Sequence, residues 1–218
     1  MYEYPILNQV RNTLEDKQPE ASIIGFSGSP RKNGNSDALL EQILNGAREK
    51  EVPAAGIHLR DMQFSACIGC EQCRKDLICT GLDDGMSVLY PEVHQARGLV
   101  LVSPTHNYNI TSWMKAFIDR LYCFYTFAET RPRAWSSRLA GQGRKVVLAA
   151  VCEQEHKRDM GFTLEAMRLP LEALGYEIVG ELPVFRIFDR GKVKDNDEVL
   201  ASAKKLGEEL ALSLGISE

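Results

Sequence analysis

The chain has 218 residues, 26 basic and 30 acidic, for a net charge of −4. That balance gives no electrostatic reason to expect nucleic acid or an anionic membrane as partner, and no apolar run approaches the ~20 residues of a membrane span. The opening "MYEYPILNQVRNTLEDKQPE" has no basic segment followed by an apolar one and does not read as a secretion signal; a cytoplasmic, reducing setting is expected, where structural disulfides are rare.

Length predicts one domain with a self-supporting core. Ile6, Leu7, Val10 and Leu14 recur at helical spacing and predict a helical extension over residues 1–20, ended by Pro19. "ASIIGFSGSP" then reads as a buried strand entering a turn. "NSDALLEQILNGAREKE" reads as a helix with Asn35 or Ser36 as N-cap and Ala38, Leu39, Ile43, Leu44 and Ala47 on one face. "AAGIHLRDM" is a second strand, completing a βαβ unit. A cysteine-rich loop follows, then a helix in "DDGMSVLYPEVHQA", a strand in "GLVLVSP", and a long helix in "ITSWMKAFIDRLYCFY" whose Lys115 and Asp119 are spaced to pair. "RKVVLAAVC" is a fourth strand. "GFTLEAMRLPLEALG" is a helix interrupted near Pro170, "YEIVGELPVF" a fifth strand, and "NDEVLASAKKLGEELALSLG" the closing helix. Alternating strands and helices predict a doubly wound α/β domain over 21–218, a parallel sheet with helices on both faces. Its ligands belong at the carboxyl ends of the strands.

Two loops at that edge carry binding chemistry. "GFSGSPRKNGNSD", Gly25 to Asp37, sits between a strand and a helix start, where unpaired N–H groups and the helix dipole favour an anion. Its serines and asparagines add donors, and Arg31 and Lys32 add charge. It lacks the GK[ST] ending of a Walker A loop and the GxGxxG spacing. "SPTHNYNITSWMK", Ser103 to Lys115, offers amides, backbone and the Tyr108 ring, a mixture suited to a planar heterocycle. A third loop, "CIGCEQCRKDLIC", sets Cys67, Cys70, Cys73 and Cys79 at spacings of two, two and five. Thiols so clustered in a reducing compartment point to metal or redox chemistry.

Together, "GSPRKNGNS" and "SPTHNYNITSWMKAFIDR" resemble the NADPH-dependent FMN reductase family, and the cysteine run resembles the compact motif of the iron–sulfur flavoproteins, a branch of it. The likeness covers most of residues 21–212. It implies a flavodoxin-like fold, strand order 2-1-3-4-5, with bound FMN. The implied phosphate contacts are Ser27, Ser29, Arg31, Asn35 and Ser36; the implied ring contacts are Pro104, Thr105, His106, Asn107, Tyr108 and Asn109. His106 stands where many members carry Tyr, and Gly85 is extra in "DDGM" at Asp83–Met86, where relatives often read DDM.

For the cysteines the resemblance implies a [4Fe–4S] cluster on Cys67, Cys70, Cys73 and Cys79; a structural zinc site and a loop without metal are the alternatives. Cys123 and Cys152 read as core thiols, and His58 and His94 as structural or solvated. His156 is a candidate to approach flavin or nicotinamide. Arg131, Arg133, Arg138, Arg144 and Lys145 read as a solvated basic loop or as a site for the NADPH phosphate. The expected activity is FMN-dependent oxidoreduction, relaying electrons from NAD(P)H or reduced ferredoxin to an acceptor that is a small molecule or a protein. No acid–base residue is assigned. A homodimer or higher homo-oligomer is expected. The alternatives are an FMN-only NAD(P)H reductase, a flavodoxin-type electron carrier and a zinc-stabilised binding module.

Overall fold

The computed structural model describes residues 20–215; the expected N-terminal helix, but for its last residue, lies outside them. β1 (Glu20–Ser27) leads to α1 (Asn35–Arg48) and β2 (Ala54–His58), and a long loop then reaches α2 (Met86–Gln95) and β3 (Ala96–Pro104). Next come α3 (Ser112–Arg120), a small hairpin of β4 (Tyr125–Phe127) and β5 (Trp135–Ser137), and β6 (Lys145–Val151). α4 (Thr163–Leu174), β7 (Glu177–Val184) and α5 (Asp197–Ser213) complete the order.

The main sheet runs β2-β1-β3-β6-β7, with every pairing parallel. With the hairpin set aside this is the expected flavodoxin-like order. Strand side chains alternate between faces, so each strand feeds two cores. Ile24, Phe26, Leu99, Leu101 and Leu148 pack towards α2, α3 and α4. Ile23, Val100, Val102, Val147 and Ala149 pack towards α1 and α5. Those last two helices approach to backbone contact: a Cβ on Gly46 or Gly207 would collide with a carbonyl of the other helix. All five strands end at one edge, and the order reverses between β1 and β3, which opens the crevice where such folds take ligands.

Several expectations need correction. The helix after β3 stops at Arg120 and tightens into a 3-10 turn, Leu121–Phe124. There the Phe124 carbonyl accepts the Arg138 N–H at 2.9 Å, and Arg138 also donates to the Cys123 carbonyl at 3.0 Å. The chain then enters the hairpin, whose three-residue strands gave no readable period. Pro170 does not interrupt α4, because Leu164, Met167, Leu171 and Leu174 keep one buried seam across it; packing outweighs one lost helix bond. α1 is capped by Gly34 with no side-chain bond, and not by Asn35 or Ser36.

Candidate functional site

The first loop is organised around one carboxylate. Asp37, in the first turn of α1, accepts the Ser27 hydroxyl at 2.8 Å and the Asn33 N–H at 2.9 Å. Arg60 binds it through both oxygens at 2.9 Å and also donates to the Ser29 carbonyl at 3.1 Å. His58 stands 3.3 Å away. Burial alone would raise the Asp37 carboxyl, but the Arg60 and Ser27 bonds and the charges of His58 and Arg60 outweigh it and hold it below its ordinary value. The one acid at this helix start is therefore neutralised by a partner. That matters for an anion site, since an unpaired carboxylate there would repel a phosphate.

Above this base lies a cleft of about 130 Å³ lined by Ser29, Arg31, Asn35, Ser36, Pro104, Thr105 and His106 among others. Residues implied for phosphate and for ring thus meet at one place. Ser27 lies beneath it, with no exposed surface. Asn35 turns both ends of its amide to the chain before α5, donating to the Asp189 carbonyl at 2.9 Å and accepting the Val193 N–H at 3.0 Å. Asn107 and Tyr108 are outside the cleft lining and form a tight turn with φ of 51° and 65°. His106 and Asn109 close that turn by exchanging backbone bonds of 2.8 and 3.0 Å. Asn at such a position is readily accommodated, and Tyr less so; the Tyr108 carbonyl is held by the Phe162 N–H at 2.8 Å, and the ring is left exposed.

The cysteine loop is clamped at its base. Asp84 accepts the Ser65 N–H at 2.9 Å, and Arg120 binds both Asp84 oxygens at 2.7 and 3.0 Å. Arg120 also donates to the Ser65 carbonyl at 2.9 Å and, through Nε, to Tyr90 Oη at 3.1 Å. The Gly85 N–H meets the Gln63 carbonyl at 2.8 Å, an approach a Cβ on Gly85 would prevent; the extra glycine has that packing role. Burial would raise Asp84, but Arg120 and the N–H groups of Ser65 and Met86 outweigh it and hold it low.

Beyond this base the loop doubles back through left-handed Gly69, Glu71 and Leu77. Cys67, Cys70, Cys73 and Cys79 line one cavity of about 330 Å³, with Arg120 and Tyr122 in its wall. Gly81 makes room in it, for a Cβ there would fall 2.5 Å from Cys70 Sγ. Burial and then the neighbouring thiols push the Cys73 thiol up to about 11. Among the described residues no three His, Cys, Asp or Glu side chains stand close enough together to hold a metal ion. The donor set still suits a thiolate-bound cluster, because all four thiols are free and line one space.

Other sequence candidates resolve differently. Arg144 is buried, not solvated, and binds the carbonyls of Val93 and Ala96 at 2.9 and 2.7 Å, Gln142 Oε1 at 2.8 Å and Tyr176 Oη at 3.2 Å. It caps the negative end of α2. Arg138 ties the Leu77 carbonyl of the cysteine loop to the core. Cys123 and Cys152 are buried as expected, and His156 is exposed. Sequence reasoning missed Arg60, which read as part of a strand, and the wall formed by Ile187, Phe188 and Arg190, which come from a segment without periodicity.

A doubly wound sheet with an anion cradle and a polar turn at its switch point defines a flavodoxin-like protein. The chain belongs to the NADPH-dependent FMN reductase family, whose sequence pattern matches residues 21–173, and to its iron–sulfur flavoprotein branch. It is 27% identical to an iron–sulfur flavoprotein of Methanocaldococcus jannaschii over 87% of this chain and 95% of that one. It is 30% identical to an iron–sulfur flavoprotein of Archaeoglobus fulgidus over 86% and 78%. Among solved structures it resembles an NADH:FMN oxidoreductase in its apo form, with TM-score 0.59, 19% identity and coverage of 90% and 91%. An archaeal flavodoxin matches with TM-score 0.53, 15% identity and coverage of 88% and 98%. The protein is a flavin-dependent oxidoreductase. None of its described helices is long and apolar enough to cross a membrane.

Proposed function

We propose that this oxidoreductase holds FMN in the cleft above Asp37 and a [4Fe–4S] cluster on Cys67, Cys70, Cys73 and Cys79. On this reading it relays electrons from NAD(P)H or reduced ferredoxin to a small-molecule or protein acceptor. The observation that carries it is that four free thiols line one cavity.

Bound FMN supplies hydride acceptance and single-electron transfer, and a bound cluster supplies one-electron transfer alone. The chain's own part is binding and orientation. Ser29, Arg31, Ser36 and the first N–H groups of α1 offer donors to a phosphate, while Arg60 keeps Asp37 from opposing it. A cleft of about 130 Å³ suits the phosphate end of a ligand, well short of the ~300–1,000 Å³ that encloses a drug-sized one. The Thr105–Asn109 turn is left to meet the planar part, through backbone groups, amides and the Tyr108 face. Arg120, paired with Asp84, holds the wall of the cysteine cavity in place. The exposed Trp135, Phe162 and Leu169 support a homo-oligomer.

The separation of the thiols favours one alternative, an FMN-only reductase with a thiol loop. Anaerobic mixing of flavin-loaded protein with NADPH, NADH or reduced ferredoxin, followed by visible absorption, tests the electron path. Bleaching by a nicotinamide is the expected result for an enzyme, and bleaching by ferredoxin alone makes the chain a carrier. No bleaching by any donor contradicts the proposal.

A further inference from the structure

The family match ends at residue 173, so it assigns nothing to the segment between β7 and α5. Residues 185–191 of that segment cross back over the phosphate loop. Arg31 donates to the Phe188 carbonyl at 3.0 Å, and its guanidinium carbon lies 4.6 Å from the Phe188 ring centre. Arg190 Nε donates to the Lys32 carbonyl at 2.6 Å. Ile187, Phe188 and Arg190 line the same cleft as Ser29, Arg31 and Ser36.

Arg190 is tied through Nε alone; among the described residues its two terminal nitrogens have no protein partner. The Nε bond fixes the plane of the guanidinium and leaves a pair of parallel donors, the geometry that suits a phosphate. The side chain is exposed, so these donors face solvent. The charges facing the cleft agree, since Arg31 and Arg190 outnumber the single carboxylate, Glu153, in its lining. The clasp to the loop does not itself require Arg190, because Asn35 already holds Asp189 and Val193.

We propose that residues 185–191 form a third wall of the flavin-phosphate site, with Arg190 a phosphate-binding residue acting beside Arg31. This rests on the FMN reading above. The test is binding of FMN and of riboflavin, which lacks the phosphate, to flavin-free protein, read by quenching of flavin fluorescence. Arg190→Gln weakens FMN by about tenfold, the scale of one charge-assisted hydrogen bond, and leaves riboflavin unchanged. Arg190→Lys keeps part of the preference, and the preference shrinks with added salt. Equal loss of both flavins in Arg190→Gln makes the residue a structural clasp and overturns the proposal, as does no change in either. Wild-type protein that binds neither flavin overturns the FMN reading itself, an outcome distinct from the other two.

Discussion

In the phosphate loop Ser27, Ser29 and Asn35 are buried and bonded to protein, and Asp37 alone ties together Ser27, Asn33 and Arg60. In the cysteine loop Cys67 and Cys70 lie exposed, Glu71 and Leu77 adopt left-handed backbone, and the thiols share a cavity without forming a closed cage. Both loops leave the carboxyl edge of adjacent strands. The first is completed by the protein's own groups. The second is clamped at its base by Asp84 and Arg120 and tied further along by Arg74 to Tyr122 and by Arg138 to Leu77, while its four thiols are left free. A metal–thiolate site gains its order on binding, since the ligands must lose protons and converge.

The sharpest way to break this contrast is to release the clamp. Arg120→Met leaves Asp84 charged and unpaired in a largely buried setting, and costs about 3–5 kcal/mol in equilibrium denaturation. Adding Asp84→Asn recovers part of the loss, and a cost below about 1 kcal/mol would make the clamp incidental.

A second prediction concerns pH. Burial, then Arg144 and Arg138, lower the His94 pKa to about 4 from its ordinary 6.5. Protonation therefore favours the unfolded chain. Stability contributed by neutral His94 is full above about 6.5 and falls as pH drops towards 4, by something on the order of 3 kcal/mol. Denaturation at a series of pH values should show this slope, and His94→Gln should flatten it. An unchanged slope would refute the assignment. The Asp37 and Asp84 carboxyls, held low, lose their contribution only below that window, as pH falls under about 3.9.

Gly81→Ala probes the tip alone. Its Cβ would crowd Cys70 Sγ, so iron incorporation on reconstitution falls severalfold, while stability moves by roughly 1 kcal/mol or less. Normal iron loading would show that Cys70 Sγ yields to the new methyl group and that Gly81 is not required. Smallest is Lys115→Ala. It breaks the 2.5 Å pair with Asp119 on the exposed face of α3 at about 0.3–0.5 kcal/mol, with no effect on flavin.

The strands, the helices and the three chemical loops were legible in the sequence because buried strands, helix faces and turn residues are local signals; the strand order came from the family resemblance. The Lys115–Asp119 pair was legible for the same reason. Arg60 was not. It lies 23 residues from Asp37, and only the pairing of β1 with β2 brings them together. Arg144 read as one charge in a basic run; its burial depends on the carbonyls that end α2, remote in sequence. Phe188 and Arg190 belong to the cleft only because β7 returns the chain to the same edge of the sheet. Local pattern thus predicted elements, whereas the supports of the site are non-local.

Whether the chain carries both cofactors is decided by iron, acid-labile sulfide, zinc and FMN per chain in protein purified without oxygen, alongside Cys70→Ser. One FMN with about four iron and four sulfide is expected, the iron and sulfide lost in the variant and the FMN retained. One FMN with neither iron nor sulfide, even after anaerobic reconstitution, would contradict that expectation and leave a thiol-bearing FMN reductase.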